Sequence, residues 1–344
     1  MTTQVAGAGA GAPVAGGPGN KGETALSSSA GKASFVQRYA GVLVLVALFA
    51  LFTILKPDVF PTYNNIVGIL ANSAILGILA VGLLAPLSAG VFDISIGGAM
   101  TLAVVAVTWL FQTTGGGMPV PAAILIVLIG AVGIGLINAT LVVREGIDPF
   151  IATIGTGSVM VGMSQLIGNG TTIATDIPSS FTDFGRWQLE KIPVGVFILA
   201  ALCLLAFYVL EYTPFGRHLY ATGASREATR LSGIRTTRVI RIAFICSALG
   251  AAIAGIVYAA RLGSGPPGIG AGFLIGAYSA AFLGSTIIRP GRFNVGGLII
   301  ALLIIGVGIN GLQIAGLPFW VVETFQGTAL LVAVLIGRKR PTVQ

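Results

Sequence analysis

Residues 65–85 read NIVGILANSAILGILAVGLLA, and this stretch decides the class of fold. It carries no charged residue, and about 20 mostly apolar residues are enough to cross the hydrocarbon core of a bilayer as an α-helix. The stretch therefore predicts a transmembrane helix. The composition agrees, because 55% of the 344 residues are hydrophobic and only 9% are charged. Soluble domains have about 25% charged residues, so a water-soluble enzyme is excluded.

The same hydrophobic pattern recurs on both sides of residues 65–85. We predict an all-α polytopic membrane protein of about ten transmembrane helices, embedded in a lipid membrane. The predicted spans are 40–55, 65–85, 94–111, 120–143, 150–168, 193–212, 239–261, 272–288, 294–313 and 317–337.

The basic residues predict which side of the membrane each loop occupies, because cytoplasmic loops carry an excess of Lys and Arg. Ten spans with both termini in the cytoplasm leave few of the 19 Lys and Arg residues outside. Membrane orientation thus explains the formal charge of +8, and no nucleic-acid partner is expected, since the basic clusters lack interleaved aromatic residues. The external basic residues are Lys56, Arg186, Lys191 and Arg261.

A weak internal repeat accompanies this topology. Residues 133–138 read GIGLIN and residues 306–310 read GVGIN, and each is followed by Pro-Phe, at 149–150 and 318–319. The copies lie about half a chain apart and cross the membrane in opposite directions in the predicted topology. This arrangement is typical of two inverted five-helix repeats.

Small residues at four-residue spacing mark one helical face near residue 276. The spacing predicts close backbone packing within the bundle rather than a substrate site. The residues are Gly268, Gly272, Gly276, Ala280 and Gly284.

Residues 1–34 are rich in Gly, Ala and Ser and show no sustained hydrophobic period, so we expect a disordered cytoplasmic tail before a transmembrane domain over 35–340. The chain has no nucleotide loop, no carboxylate pair within one span and no nucleophile beside a base. Cys203 and Cys246 lie in separate apolar segments, and His218 has no second ligand nearby. We therefore expect neither an enzyme nor a metal or cofactor site in this chain.

Residues 213–238 form the longest polar segment on the predicted cytoplasmic side. Ser225 is a favourable N-cap and Gly233 a favourable residue after the C-terminus, so they bracket a predicted helix of about two turns. A small apolar face with charged flanks suits a groove on a soluble partner, and the alternative is a basic loop anchored by lipid headgroups. The apolar face comprises Ala224, Ala228 and Leu231, and the flanks comprise Arg226, Glu227 and Arg230.

This loop, with Phe215-Gly-Arg217 and residues 227–234 (EATRLSGI), resembles the ATPase-docking loop of ribose-type ABC importer permeases. Residues 90–97 (GVFDISIG) resemble that family's Gly-Gly-Ile-Asp-Leu-Ser-Val-Gly signature, and residues 148–155 (DPFIATIG) resemble its Pro-Pro-Phe-Ile-Ala-Thr-Leu-Gly stretch. Residues 306–320 are similar to its Asn-Gly-Leu and Pro-Phe-Trp pattern, and the resemblance covers about 38–340 in order. The chain departs from the family at Val91, Asp148 and Ile287–Pro290.

The resemblance implies a permease subunit in a bacterial cytoplasmic (inner) membrane, which imports a small polar solute such as a monosaccharide or polyol by alternating access. The implied partners are a second permease copy or paralogue, cytoplasmic ABC ATPase subunits that hold ATP and Mg²⁺, and an external or periplasmic solute-binding protein. The residues implied to couple to the ATPase are Arg217, Ala224, Ser225, Arg226, Glu227, Ala228, Arg230, Leu231 and Gly233.

Asp93 is the most informative single residue. It is flanked by apolar residues and lies between a helix expected to break at Pro86 and the next span. A carboxylate in such a place marks a functional site, and we expect a structural or gating role. The alternative is a cap on the next helix, which accepts from the N–H of Ser95 or Ile96.

Other polar and aromatic residues within or near the spans are candidates for a solute pathway or its gate. A sugar pathway needs neutral hydroxyl and amide groups, and helix–helix hydrogen bonding is the alternative role for each polar group. These candidates are Asn72, Ser73, Asn138, Phe150, Thr153, Thr156, Asn310, Gln313 and Phe319.

The segment 169–192 is the longest external one in the predicted topology, and it is polar and charged. We expect it to help receive the solute-binding protein through charge pairs that steer encounter. The expected docking residues are Lys56, Asp183, Arg186, Glu190, Lys191 and Arg261.

An ion-coupled secondary transporter or channel would also explain the hydrophobicity and the repeat. Such proteins carry more ionisable groups within their spans, whereas here only Asp93 and Glu323 qualify. An intramembrane enzyme would need a nucleophile beside a base or a metal motif.

Overall fold

The computed structural model describes residues 40–318 and 320–337. The predicted tail at 1–34, the role of Phe319 and the basic residues 338–340 lie outside the described residues.

The described residues are mostly helical, with one two-stranded antiparallel hairpin in which Gln188 pairs with Pro193 and Leu189 with Ile192. The elements are α1 (Ala40–Leu55), α2 (Tyr63–Ser88), α3 (Ile96–Thr113), α4 (Val120–Val143), α5 (Pro149–Ile167), α6 (Ser179–Arg186), β1 (Gln188–Leu189), β2 (Ile192–Pro193), α7 (Val194–Tyr212), α8 (Pro214–Ala224), α9 (Arg226–Leu231), α10 (Thr236–Leu262), α11 (Ala271–Thr286), α12 (Val295–Ile314) and α13 (Trp320–Gly337).

Each of the ten predicted spans coincides with one helix, and α6, α8 and α9 are short helices between them. Seven helices are long and apolar enough to cross a membrane among the described residues: α2, α3, α4, α5, α7, α10 and α12. The apolar helices α1, α11 and α13 are not among these seven. The described residues therefore form an all-α polytopic membrane protein.

Polar caps explain where several helices begin. The Thr62 hydroxyl accepts from the Asn65 N–H, and the Asp148 carboxylate accepts from the N–H groups of Phe150 and Ile151. The Asn294 side chain accepts from the Gly297 N–H at 2.7 Å. Each cap satisfies backbone donors that would otherwise lack a partner in the first turn.

The expected break at Pro86 is wrong, because α2 continues through this residue to Ser88. Proline lacks only its own N–H, so the helix loses one hydrogen bond to the preceding turn and continues for two more residues. The Pro86 carbonyl also accepts from the Val91 N–H at 3.0 Å, which closes the end of the helix.

The centre of the bundle is α10, which packs against α2, α3 and α4. In the most apolar stretch of each helix, 72% of the residues of α2 are buried inside the protein, and 67% of those of α3 and of α10. The share is 22% for α4 and 28% for α5. The first three helices are thus core helices, while α4 and α5 turn much of their surface outward.

Glycines bring the core helices into backbone contact. A Cβ added to Gly250 of α10 would lie 2.7 Å from the Gly82 Cα of α2. A Cβ on Gly135 of α4 would lie 2.6 Å from the Ile245 Cα, and one on Gly255 would lie 2.7 Å from the Met100 carbonyl oxygen of α3. Such approaches leave no room for side chains, so the packing around α10 depends on glycine.

The predicted small-residue face near residue 276 is only partly correct. Gly268 precedes α11, and nothing lies within 4 Å of a Cβ on Gly272. Gly276 meets the side chains of Leu76 and Gln326, whereas Gly284 meets the backbone of α12. Four-residue spacing identifies a face, but only the partner's position decides whether backbones meet.

The predicted polar segment 169–192 contains more structure than expected. It includes α6 and half of the hairpin, and α6 packs on α10. The fully buried Phe181 of α6 contacts Phe111 of α3, with ring centroids 5.0 Å apart. This segment is therefore anchored to the bundle rather than free in solvent.

Gly250→Ala should lower the free energy of unfolding by about 1–3 kcal/mol, because α10 and α2 must move apart to accept the new methyl group. Thermal unfolding in detergent micelles, followed by circular dichroism, measures the effect. The matched control is Gly130→Ala in α4, where nothing lies within 4 Å of the added Cβ. The free energy of unfolding of Gly130→Ala should equal that of the parent or exceed it by up to about 1 kcal/mol, because alanine favours the helix more than glycine does. Equal losses in both variants would contradict the account of the core.

Candidate functional site

The predicted helix in the segment 213–238 exists as α9, and both of its predicted ends are confirmed. The Ser225 hydroxyl accepts from the Ala228 N–H at 3.3 Å, and Gly233 adopts a left-handed conformation with φ of 83°. The preceding helix α8 is capped by the Thr213 hydroxyl, which accepts from the Gly216 N–H. Two capped helices therefore meet at Ser225.

The surface of α9 is largely exposed, including a small apolar face. The Leu231 side chain is 78% exposed, and Ala224 and Ala228 are exposed beside it. The Arg230 guanidinium donates to the Glu227 carboxylate at 2.7 Å across one turn. The other predicted coupling residues, Arg217 and Arg226, are exposed as well. An apolar knob ringed by charges is the shape that a groove on a partner protein recognises.

Helix α8 connects α9 to the end of α2 through a contact between glycines. A Cβ on Gly223 would lie 2.3 Å from the Ser88 carbonyl oxygen. Gly90 has φ of 75°, and a Cβ there would lie 3.1 Å from the Gly223 Cα. The last turn of α8 therefore rests directly on the backbone that leads from α2 to Asp93.

Asp93 is fully buried and begins a chain of side-chain hydrogen bonds. Its Oδ1 accepts from the Ser95 N–H at 3.0 Å and from the Ser95 hydroxyl. The Asn138 amide donates to the Ser95 hydroxyl oxygen at 2.8 Å, and the Thr156 hydroxyl donates to the Asn138 Oδ1 at 2.7 Å. The chain links the loop before α3 to α4 and α5.

The contact expected of a capping aspartate is present, since Asp93 accepts from the Ser95 N–H. Asp93 is nevertheless buried in the protein, unlike a cap at the water interface. Its Oδ2 has no hydrogen-bond partner among the described residues. A buried carboxylate oxygen without a partner costs free energy. Such a group in a membrane-spanning region marks a candidate functional site.

Two more side chains hold the loop that carries Asp93. The Ile94 N–H donates to the Thr153 hydroxyl at 3.0 Å, and the Asp93 N–H donates to the Tyr278 hydroxyl at 3.1 Å. Sequence reasoning named the Ser95 N–H as a donor to Asp93 in the capping alternative, but it missed the Ser95 hydroxyl and Tyr278. Ser95 lies in the same quoted stretch as Asp93, but Tyr278 is 185 residues away and gives no local signal.

Of the other predicted pathway residues, Phe150 reaches this region, because its carbonyl accepts from the Thr153 hydroxyl at 3.4 Å. No side-chain hydrogen bond in the described part of the chain joins Asn72, Ser73, Asn310 or Gln313 to the Asp93 network. The Asn72 amide oxygen accepts from the Arg261 guanidinium at 3.1 Å. Asn310 has a buried amide oxygen without a partner in the described chain. Ser73 is buried, whereas Phe150 and Gln313 are exposed.

Three predicted docking residues line one cavity of about 620 Å³: Arg186, Lys191 and Arg261. The Lys191 ammonium lies 3.2 Å from the Asn64 amide oxygen, and Arg186 donates to the carbonyls of Arg261 and Leu262 at 3.3 and 3.4 Å. Among the described residues that line this cavity, none is acidic. The cavity is therefore a concave, positively charged surface. The other predicted docking residues, Lys56, Asp183 and Glu190, are exposed.

Among residues 40–318 and 320–337, no cluster of three or more His, Cys, Asp and Glu side chains is placed to hold a metal ion. The features described above are hydrogen-bonding, charged and apolar surfaces.

Comparison with known proteins identifies the family. Residues 65–335 match the family described as branched-chain amino acid transport system / permease component. The ribose import permease protein RbsC of Escherichia coli K12 is 29% identical over 312 residues, which cover 89% of this chain and 95% of that protein. The autoinducer 2 import system permease protein LsrD of Salmonella paratyphi A is 30% identical over 88% of this chain and 92% of that protein. No solved structure matches. With buried core helices, an exposed capped helix and a match over most of its length, the chain belongs to this family of transport-system permease components.

Proposed function

We propose that this chain is the membrane-spanning subunit of an ATP-driven, binding-protein-dependent importer for a small polar solute. The observation that carries the proposal is helix α9, a capped and exposed element that α8 joins to the loop of Asp93. The relatives named above import ribose and autoinducer 2. Both names favour a monosaccharide or a similar polyol as the solute of this chain.

The proposed assembly pairs this chain with a second permease copy or paralogue, cytoplasmic ATPase subunits and an external solute-binding protein. ATP and Mg²⁺ belong to the ATPase subunits. The complex is placed in a bacterial cytoplasmic (inner) membrane, with α8 and α9 on the cytoplasmic side. The exposed apolar face of α9, around Leu231, fits a groove on the ATPase.

The proposed membrane topology has ten spans in two inverted five-helix repeats, with both termini in the cytoplasm. The repeat is supported by helix contacts that remain the same when α1–α5 are exchanged with α7, α10, α11, α12 and α13. In this exchange α3, α4 and α5 correspond to α11, α12 and α13, and α2 corresponds to α10. Helix α3 packs on α4 and α5, just as α11 packs on α12 and α13. Helix α10 packs on α3 and α4, just as α2 packs on α11 and α12. Gly82 and Gly250 then lie on equivalent helices and meet each other.

The proposed coupling route begins where the ATPase moves α9. Because α8 and α9 join at Ser225, motion passes to α8 and then to the Gly223 contact with Ser88 and Gly90. The next residues carry Asp93, whose hydrogen bonds reach α4 and α5. A displacement of α8 thus biases the helices that open or close the solute pathway.

The positively charged cavity around Lys191 is proposed to receive carboxylates of the solute-binding protein. Arg186 and Arg261 shape the cavity, because both donate to backbone carbonyls of the bundle. Lys191 is held more loosely, by Asn64 and by the Tyr63 ring, whose centroid is 5.8 Å from its nitrogen. Lys191 is therefore the residue with which to test docking.

An ion-coupled transporter is the second candidate function. The fully buried Asp93 with an unpartnered Oδ2 favours it, because such a group is suited to binding a proton or cation during transport. Transport by the isolated chain in response to an ion gradient would distinguish this candidate.

Leu231→Asp should prevent stable binding of the ATPase, because the new carboxylate loses hydration in the groove without a partner, at a cost of several kcal/mol. The free subunit should fold normally, since Leu231 is 78% exposed. Co-purification with the ATPase and ATP-dependent uptake measure the effect at equal expression. The control is Leu189→Asp, which introduces the same charge at a 52% exposed position in the hairpin. It is compared by co-purification with the ATPase only, because the hairpin borders the cavity around Lys191 and a carboxylate there would itself affect uptake. Normal assembly and uptake in Leu231→Asp would overturn the coupling role of α9.

Ser95→Ala should destabilise the fold by about 1–3 kcal/mol, because it removes a hydroxyl donor from the buried Asp93 and an acceptor from Asn138. Unfolding in detergent gives the difference. Ser73→Ala is the matched control, since the Ser73 hydroxyl is also buried but has no partner among the described residues. If both variants lose the same stability, the hydrogen-bond chain from Asp93 does not hold α3, α4 and α5 together.

Lys191→Glu should slow association with the binding protein by about threefold to tenfold at low ionic strength, because the long-range attraction is reversed. The difference should nearly vanish at 1 M salt, where the Debye length is about 3 Å. Surface plasmon resonance on reconstituted complexes measures the rates. Arg144→Glu, on the proposed cytoplasmic side, is the control. Equal association rates for Lys191→Glu and the parent at low salt would remove this cavity from the docking site.

A further inference from the structure

A second charged cavity, of about 510 Å³, lies between the end of α2, the helix α8 and the loop before α12. It is distinct from the cavity around Lys191, and it shares Ala224 with the exposed apolar face that continues onto α9. Its lining includes Ser88, Arg217, Tyr220, Arg292 and Phe293. The part of the chain that the structure describes contributes no acidic residue to this lining.

Arg292 is held in place but is not neutralised. Its guanidinium carbon lies 3.7 Å from the centroid of the Tyr220 ring, a cation–π contact that fixes the side chain. The Tyr220 hydroxyl donates to the Phe293 carbonyl at 2.6 Å, so the ring is fixed as well. The Arg292 Nε is buried and has no acceptor among the described residues.

Two further donors line the cavity. Ser88 is only 4% exposed, and its hydroxyl oxygen has no hydrogen-bond partner among the described residues. Arg217 forms no ion pair in the described chain. The nearby Glu211 is occupied, because its carboxylate accepts from Arg289 and keeps the pKa of that guanidinium above its ordinary value.

We propose that this cavity binds a phosphate group. Two guanidinium groups and a buried hydroxyl are donors that call for an acceptor-only ligand with several oxygens, and arginine matches phosphate in charge and geometry. The volume also accommodates an organic substituent on the phosphate. Bound there, it would bridge α8 to the loop before α12. The source is either a free phosphate or phosphate ester of the cytoplasm, or a lipid headgroup at the ends of α2 and α12.

The proposal is tested on the full chain in maltoside micelles, a detergent without phosphate. Isothermal titration with inorganic phosphate, at ionic strength matched with chloride, should show saturable binding at one site per chain. Arg292→Ala should weaken this binding by about tenfold or more, and Ser88→Ala by about threefold to tenfold. Arg144→Ala, at an exposed position elsewhere, is the matched control and should bind like the parent.

Monomeric dihexanoyl phosphatidic acid distinguishes the two sources. If it binds more tightly than inorganic phosphate and displaces it, the source is a lipid headgroup, and the reverse order indicates a free phosphate. The absence of saturable phosphate binding, or binding unchanged in both variants, would overturn the proposal. Ser88→Ala keeps the test valid if Arg292→Ala fails to fold, because it removes only a hydroxyl that lacks a partner. If phosphate does not bind and Arg292→Ala instead weakens ATPase assembly, the cavity receives a carboxylate of that partner.

Discussion

The backbone contact between Gly82 and Gly250 is the constraint on which the rest of this structure depends. In a membrane the hydrophobic effect does not drive helices together, so association relies on close packing and hydrogen bonds. Gly82 and Gly250 remove the side chains that would separate α2 from α10. Two further glycines bring other helices into backbone contact with α10. Gly135 of α4 meets the backbone at Ile245, and Gly255 of α10 meets the backbone of α3 at Met100. The core therefore forms around α10, and the other spans pack outside it.

A second glycine contact joins this core to the surface. Gly223 contacts the backbone of Ser88 and Gly90, so α8 packs directly against the end of the core helix α2. The exposed helix α9 and the buried Asp93 thus lie at the two ends of the proposed coupling route through α8. The same packing creates the cavity in which Arg292 lies without an acidic partner among the described residues. A partner or a ligand that moves α8 acts directly on the core.

Sequence patterns placed an apolar helix at each predicted span of the described chain, and length and hydropathy qualify seven of these helices to cross a bilayer. They also predicted α9 from local chemistry, through the Ser225 cap and Gly233. One failure is local, at Pro86, and the others concern relations between distant segments. The pattern did not show that α2 continues through Pro86, or which glycines meet backbone, or that Arg186 donates to carbonyls of α10. Tyr278 reaches Asp93 from a helix far along the chain, and no local pattern contains that information.

The central claim is that this chain links ATP hydrolysis on one side of the membrane to a solute-binding protein on the other. The most direct measurement is the rate of ATP hydrolysis by the partner ATPase, reconstituted with this chain in liposomes, with and without the loaded binding protein. The account predicts that the binding protein stimulates hydrolysis, and only when this chain is present. Hydrolysis that does not respond to the binding protein, together with solute movement driven by an ion gradient through the chain alone, would contradict it.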